Sequence, residues 1–184
     1  MSLNIHKKIK VLLVGGGTGG HIYPGVALAK ELIARENIEC MMVITSKTTD
    51  KQILESECIP YKMLPIKGMN WEFSIKMIAD LYRFVLSFLR AWQIISSYTP
   101  DMIIGLGAYV SFPVISLGRI KGITTFIHEQ NLMPGKANLI LGKWVDGSDL
   151  MAIPYYARSN RFKEAGRPPR GRGPLISSVW LKDQ

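Results

Sequence analysis

Gly15-Gly16-Gly17-Thr18-Gly19-Gly20-His21 places five glycines, a hydroxyl and an imidazole in seven consecutive positions. Glycine lets a backbone reach positive φ and approach a ligand with no Cβ in the way, and the amides at a helix start carry partial positive charge. The chemistry is that of a phosphate holder, with His21 at its rim as a group that exchanges a proton near neutral pH. A second cluster, His128-Glu129-Gln130-Asn131, sets an imidazole, a carboxylate and two carboxamides side by side behind the run Ile123-Thr124-Thr125-Phe126-Ile127. Capping of a following helix, expected near Pro134, accounts for one such residue but poorly for four. Between them lies a third segment, Gly105-Leu106-Gly107-Ala108-Tyr109-Val110-Ser111-Phe112-Pro113.

These segments need a frame that brings them together. Apolar runs at residues 9–14, 39–45, 101–105 and 123–127 read as strands, and the stretches between them have helical spacing, the first from Pro24 to Arg35. Alternation of this kind predicts an α/β fold, a Rossmann-like parallel sheet with helices on both faces and ligands at the carboxyl ends of the strands. All three segments then open on one edge. Gly15, Gly17 and Gly20 satisfy G-x-G-x-x-G, which raises a dinucleotide cofactor. The second strand, however, runs out into Thr45-Ser46-Lys47 with no acidic residue to hold a ribose, and Glu39 stands at its beginning.

The 184 residues, 47% hydrophobic and 20% charged, suit one domain with a real core. Two cysteines, Cys40 and Cys58, fit neither a disulfide framework nor a zinc site, and the short, polar amino terminus has no secretory signal pattern, so a reducing cytosol is expected. The net charge is +9; residues 147–184 hold seven Lys/Arg against three Asp/Glu, which leaves +5 for residues 1–146. Such a field favours anionic partners, among them lipid headgroups and nucleotide phosphates. No recognition helix or basic strand interleaved with aromatics is seen, so nucleic acid is not the expected partner.

GGGTGGHIYP (15–24), GLGAYVSFP (105–113) and HEQN (128–131), in this order and spacing, resemble the amino-terminal half of the bacterial N-acetylglucosaminyltransferases that form lipid II, in glycosyltransferase family 28. The resemblance covers residues 9–146. It implies one half of a glycosyltransferase B architecture, two Rossmann-like domains facing across a cleft. It also implies inverting transfer of N-acetylglucosamine from UDP-N-acetylglucosamine to undecaprenyl-diphosphate-linked N-acetylmuramyl pentapeptide, with no cofactor and no metal. By position, Thr18, Gly19, Gly20 and Asn131 become donor contacts, and Gly107, Tyr109 and Ser111 face the acceptor. His21 becomes the base or a ligand of the acceptor diphosphate, and Glu129 the rival base. The second segment departs from the family, which has a second glycine where this chain has Ala108 and often a glycine at Phe112. If position 108 needs positive φ, alanine there costs roughly 1 kcal/mol or more.

From Ser74 to Tyr98, Ile75, Ile78, Leu81, Tyr82, Val85, Phe88, Leu89 and Trp92 recur at three- and four-residue steps, a long amphipathic helix with Lys76, Arg83 and Arg90 between them. The spacing alone fits a face packed on a sheet. The resemblance implies peripheral contact with anionic lipid at the cytoplasmic face of the cell membrane through Ile75, Ile78, Leu81, Tyr82, Val85, Phe88 and Trp92. Asp80 and Arg83 argue for lying on a bilayer and against spanning it.

The resemblance stops at Asp146. Residues 147–184 include Arg167-Pro168-Pro169-Arg170-Gly171-Arg172-Gly173-Pro174, which forms neither helix nor central strand. The expectation is an acceptor-binding domain over 1–146 followed by an atypical tail, a frame-shift product or an unstructured end, with the donor-binding domain absent and the chain inactive alone. The competing reading is a non-catalytic, membrane-associated half that recruits a separate donor-binding subunit.

Overall fold

The computed structural model describes residues 8–66, 75–129, 136–142 and 145–150. Six strands form one parallel sheet: β1 (Ile9–Val14), β2 (Ile38–Ile44), β3 (Tyr61–Met63), β4 (Met102–Gly105), β5 (Thr124–Glu129) and β6 (Gly147–Leu150), in the order β3-β2-β1-β4-β5-β6. Five helices connect them: α1 (Gly19–Ile33), α2 (Thr48–Ser56), α3 (Ile75–Tyr98), α4 (Ser111–Ile120) and α5 (Lys136–Leu141). Side chains alternate across a strand, so each central strand supplies both faces. Val11 and Leu13 pack with Ile22, Val26 and Ala29 of α1 and Leu54 of α2. Leu12 and Val14 pack with Ile94 and Ile95 of α3, Val114 and Ile115 of α4, and Leu141 of α5. Burial on both sides is why the strands read as unbroken apolar runs.

Three elements differ from the sequence expectation. The first helix begins at Gly19, so Pro24 lies inside it and the glycine turn runs straight into its first residues. β3 is a three-residue edge strand with a lysine at its centre, too short and polar to stand out. The sheet also continues past Asp146: β6 pairs with β5 from Phe126↔Gly147 to Glu129↔Leu150.

The sheet order places β4 beside β1, with Val11 opposite Met102 and Val14 opposite Gly105. The connections from β1 and β4 then leave toward opposite faces, which opens a crevice at the carboxyl ends of these strands. Cys40 is a core side chain whose thiol is pushed up to about 12 by burial, leaving it unreactive near neutral pH.

Ala108 sits at φ 64, the left-handed region that the sequence comparison with glycine had flagged. The left-handed conformation costs a non-glycine residue about 1–2 kcal/mol, and a glycine there gives back part of that gain by loosening the unfolded chain. Ala108→Gly should raise stability by roughly 0.5–1 kcal/mol, read as a higher urea midpoint at unchanged m-value. A lower midpoint would show that the Ala108 methyl contributes more packing than its backbone loses.

Candidate functional site

The glycine turn is held from beneath by a carboxylate. Asp50, in the first turn of α2 and 2% exposed, accepts the Gly17 N–H at 2.7 Å and the Thr45 hydroxyl at 2.6 Å through Oδ2. A Cβ at Gly16, where φ is +140, would stand 2.7 Å from that same oxygen. Lys47 donates through Nζ to the Gly17 carbonyl, and the Gly15 N–H bonds to Val43 O. The inner amides of the turn are therefore committed to the protein itself. At its outer end Gly19 and Gly20 occupy the exposed first turn of α1. Thr18 is the N-cap in extended conformation, exposed, and its hydroxyl makes no capping bond.

His21, the third residue of α1, turns inward from that end. Its Nδ1 lies 2.9 Å from Leu106 O, the first residue beyond β4. A carbonyl can only accept, so Nδ1 carries the proton and donates it, and the basic lone pair of the neutral ring is on Nε2. The ring lies against Gly107, where φ is +98 and a Cβ would stand 2.8 Å from Cε1 and Nδ1. Gly107 thus leaves the room that the imidazole occupies.

Glu129 and Asn138 complete the cluster. Glu129 is the last residue of β5, so His128 and Glu129 belong to the strand and not to a loop. It is 1% exposed and its Oε2 accepts from Asn138 Nδ2 at 2.9 Å. Glu129 is thus enclosed within the cluster, whereas His21 is half-buried at the rim. Asn138 Nδ2 is also 3.4 Å from the position a Gly107 Cβ would take, and its Oδ1 has no hydrogen-bond partner among the described residues. Asn131 lies outside the described residues.

In the second segment Ser111 is fully buried. Its hydroxyl is 2.6 Å from Gly107 O and 3.1 Å from Val14 O, tying the end of β1 to the turn after β4. It serves that junction. Tyr109 is half-buried against the core beneath α3 and α4. Asp50 and Asn138 were not singled out from the sequence, nor was Tyr23, 61% exposed beside Gly19. Asp50 carries a weak signal, an acid in the first turn of a helix just after a strand. Among the described residues no three His, Cys, Asp or Glu side chains gather as metal ligands would.

The long helix divides its apolar residues between two tasks. Leu81, Tyr82, Val85, Leu89 and Trp92 are 48–64% exposed, whereas Phe88 packs edge-on against Phe84 and Phe112 and is withdrawn from the outer stripe. Lys121 Nζ stands 3.6 Å above the Trp92 ring. The side chains of Ile75 and Ile78 lie outside the described residues. No helix among the described residues is long and apolar enough to cross a membrane.

This sheet, with a glycine turn entering α1 at its switch point, is the Rossmann-like half of an architecture shared by nucleotide-sugar transferases and epimerases. MurG of Acinetobacter baumannii aligns with a TM-score of 0.70 at 22% identity over 96% of this chain and 50% of that one. UDP-GlcNAc 2-epimerase from Neisseria meningitidis, bound to UDP-GlcNAc, aligns at 0.56 and 21% identity over 76% and 40%. The chain belongs to the glycosyltransferase family 28 N-terminal domain family, whose model matches residues 11–148. It is 33% identical over 166 residues to the UDP-N-acetylglucosamine–N-acetylmuramyl-(pentapeptide) pyrophosphoryl-undecaprenol N-acetylglucosamine transferase of Thermoanaerobacter sp. (strain X514), which covers 88% of this chain and 46% of that protein. The Bacillus licheniformis protein of the same name is 38% identical over 139 residues, 75% of this chain and 38% of its own. The chain thus spans about half the length, or less, of the curated relatives it matches.

Asp50→Ala should cost about 2–4 kcal/mol, because it leaves a part-buried amide and a buried hydroxyl without their acceptor. Asp50→Asn should cost less, since a carboxamide oxygen still accepts. Chemical denaturation of both variants decides the point. An alanine variant within about 0.5 kcal/mol of the parent would mean that Asp50 does not hold the turn.

Proposed function

We propose that this chain is the acceptor-binding half of an inverting glycosyltransferase in peptidoglycan synthesis. The enzyme moves N-acetylglucosamine from UDP-N-acetylglucosamine onto N-acetylmuramyl pentapeptide carried by undecaprenyl diphosphate. The names of the relatives supply the reaction. The observation that carries it to this chain is the His21 imidazole, fixed by Leu106 O with its lone pair on Nε2, one turn from helix-start amides suited to a diphosphate. In the transfer, Nε2 takes the proton from the acceptor hydroxyl and the freed oxygen attacks the anomeric carbon. The bond from that carbon to the diphosphate breaks on the opposite side, and UDP leaves with its electron pair. Thr18, Gly19 and Gly20 would hold a diphosphate beside the reacting centre, and Asn131 would reach the donor. The second wall of the cleft belongs to a donor-binding half, supplied in the same enzyme or as a separate subunit.

The acceptor is anchored in a bilayer, and the exposed stripe of α3 gives the chain a way to rest on one. Leu81, Tyr82, Val85 and Trp92 would enter the interface, with Arg83 and Arg90 meeting anionic headgroups at the cytoplasmic face. The chain should sediment with anionic vesicles at low salt and be released as salt rises, and Val85→Glu should abolish sedimentation. Failure of the parent chain to sediment at low salt would remove the surface-binding role of α3.

The transfer itself is tested by supplying the carboxyl-terminal half of the Bacillus licheniformis relative, fused or as a separate chain, and following labelled N-acetylglucosamine onto the lipid-linked acceptor. Transfer is expected with the parent chain, and His21→Ala should lower turnover about 10²- to 10⁴-fold. Near-normal turnover by that variant would take His21 out of the chemistry. No transfer by the parent pair, where the relative's own two halves are active, would count against the proposed activity.

A further inference from the structure

Gly15, Gly17 and Gly20 have the spacing of a dinucleotide-binding turn, in which the backbone approaches a pyrophosphate and an acid at the end of the second strand takes the ribose hydroxyls. An acid does stand near that place. Asp50, however, belongs to the first turn of α2, is 2% exposed, and turns Oδ2 toward the Gly17 N–H at 2.7 Å and the Thr45 hydroxyl at 2.6 Å. Buried and already bonded, it offers nothing to a ribose. Its bond is to the amide of the second glycine, the position at which such turns let a pyrophosphate come close.

The space around that bond is closed. At Gly16 a single added carbon would stand 2.7 Å from Oδ2 and 3.5 Å from the Thr45 nitrogen, and at Gly17 one would stand 3.4 Å from the Thr45 methyl. Thr45 is tied in turn to the start of α2, since its Oγ1 accepts the Lys47 N–H at 3.3 Å, and the Lys47 ammonium is bonded to the Gly17 carbonyl. A phosphate oxygen reaching for the Gly17 hydrogen would have to displace Asp50 and then lie beside its negative charge. Where water is withdrawn, like charges repel far more strongly than in bulk solvent. An acid in a first helical turn also complements the partial charge of that helix end. A neutral oxygen would accept both hydrogen bonds equally; only an approaching anion feels the full charge.

We propose that Asp50 is a specificity-determining residue, whose carboxylate bars the pyrophosphate of a nucleotide from the inner half of the glycine turn. The inference goes beyond the transfer reaction and does not depend on it, because it concerns what the turn refuses. The same glycine spacing without this acid would leave the Gly17 amide open to any free nucleotide. Here that amide is bonded within the protein and guarded by like charge.

The test measures binding of inorganic pyrophosphate to the 184-residue chain and to its Asp50→Asn variant by calorimetry at physiological ionic strength, with amide NMR spectra of each. The substitution keeps an oxygen acceptor for Gly17 and Thr45 and removes the charge. The variant should bind pyrophosphate roughly tenfold or more tightly than the parent, with the Gly17 amide among the signals that the ligand moves. Glu31→Gln makes the same change of net charge on the exposed side of α1, where salt screens it, and should stay within about twofold of the parent. Asp50→Ser should show the same gain as the asparagine variant and stands in if that variant misfolds. A purely structural Asp50 would lower stability when replaced and leave pyrophosphate affinity where it was. Unchanged affinity in the Asp50 variants, or an equal gain in Glu31→Gln, would therefore overturn the proposal. A gain in which the Gly17 amide does not move would overturn it as well, since the charge would then act at a distance and not at the inner amide.

Discussion

The contact between the His21 ring and Gly107 is the constraint on which this site is built. Nothing larger than hydrogen fits at position 107, because a Cβ would stand 2.8 Å from two ring atoms. That contact exists only because β1 and β4 are neighbours, so that one strand delivers the start of α1 and the other delivers the Leu106 carbonyl to the same place. Ser111 fastens the two strand ends beneath it, and Asp50 fixes the turn from the other side. The imidazole is thus oriented by backbone, which does not change rotamer, and its tautomer follows from bonding to a group that can only accept.

The glycine turn plays a narrower part than its composition suggests. Five glycines look like one extended cradle for an anion, yet the Gly15 and Gly17 amides are used inside the protein, the latter by a carboxylate. The inner glycines let the backbone wrap tightly around Asp50 and Thr45, and the outer two open the helix end. A buried acid thus takes the place a phosphate would fill in a turn wholly devoted to ligand.

Much of this was legible from residue types. The strand–turn–helix start, the parallel sheet, the positions of His21 and Gly107 and the strain at Ala108 follow from glycine placement and apolar runs. Other features were hidden for physical reasons. β6 has one apolar residue in four, and its pairing is set by the neighbouring strand, not by its own composition. Polar His128 and Glu129 sit in a strand because that ladder continues to the sheet's carboxyl edge. Pro24 looked like a helix start because proline favours first turns, but the two glycines before it are already helical. Asp50 and Asn138 act through partners far away in the chain, which no local spacing encodes. Phe88 shares the periodicity of the outer stripe, and only the position of α4 separates it from its neighbours.

The sheet order has a consequence for how such a chain comes into being. Bonds that shape the site join residues 85 to 97 positions apart, as between His21 and Leu106 or Ser111 and Val14. Parallel pairing over such separations closes late, since the loop must be formed before any contact rewards it. During synthesis at about 5–20 residues per second, β1 waits several seconds for β4 to emerge, with its apolar faces uncovered. β2 can pair with it early and shield one edge, but the glycine turn has no floor until Leu106 arrives. An incomplete nascent chain would therefore present the glycine-rich sequence without the geometry that the finished sheet gives it.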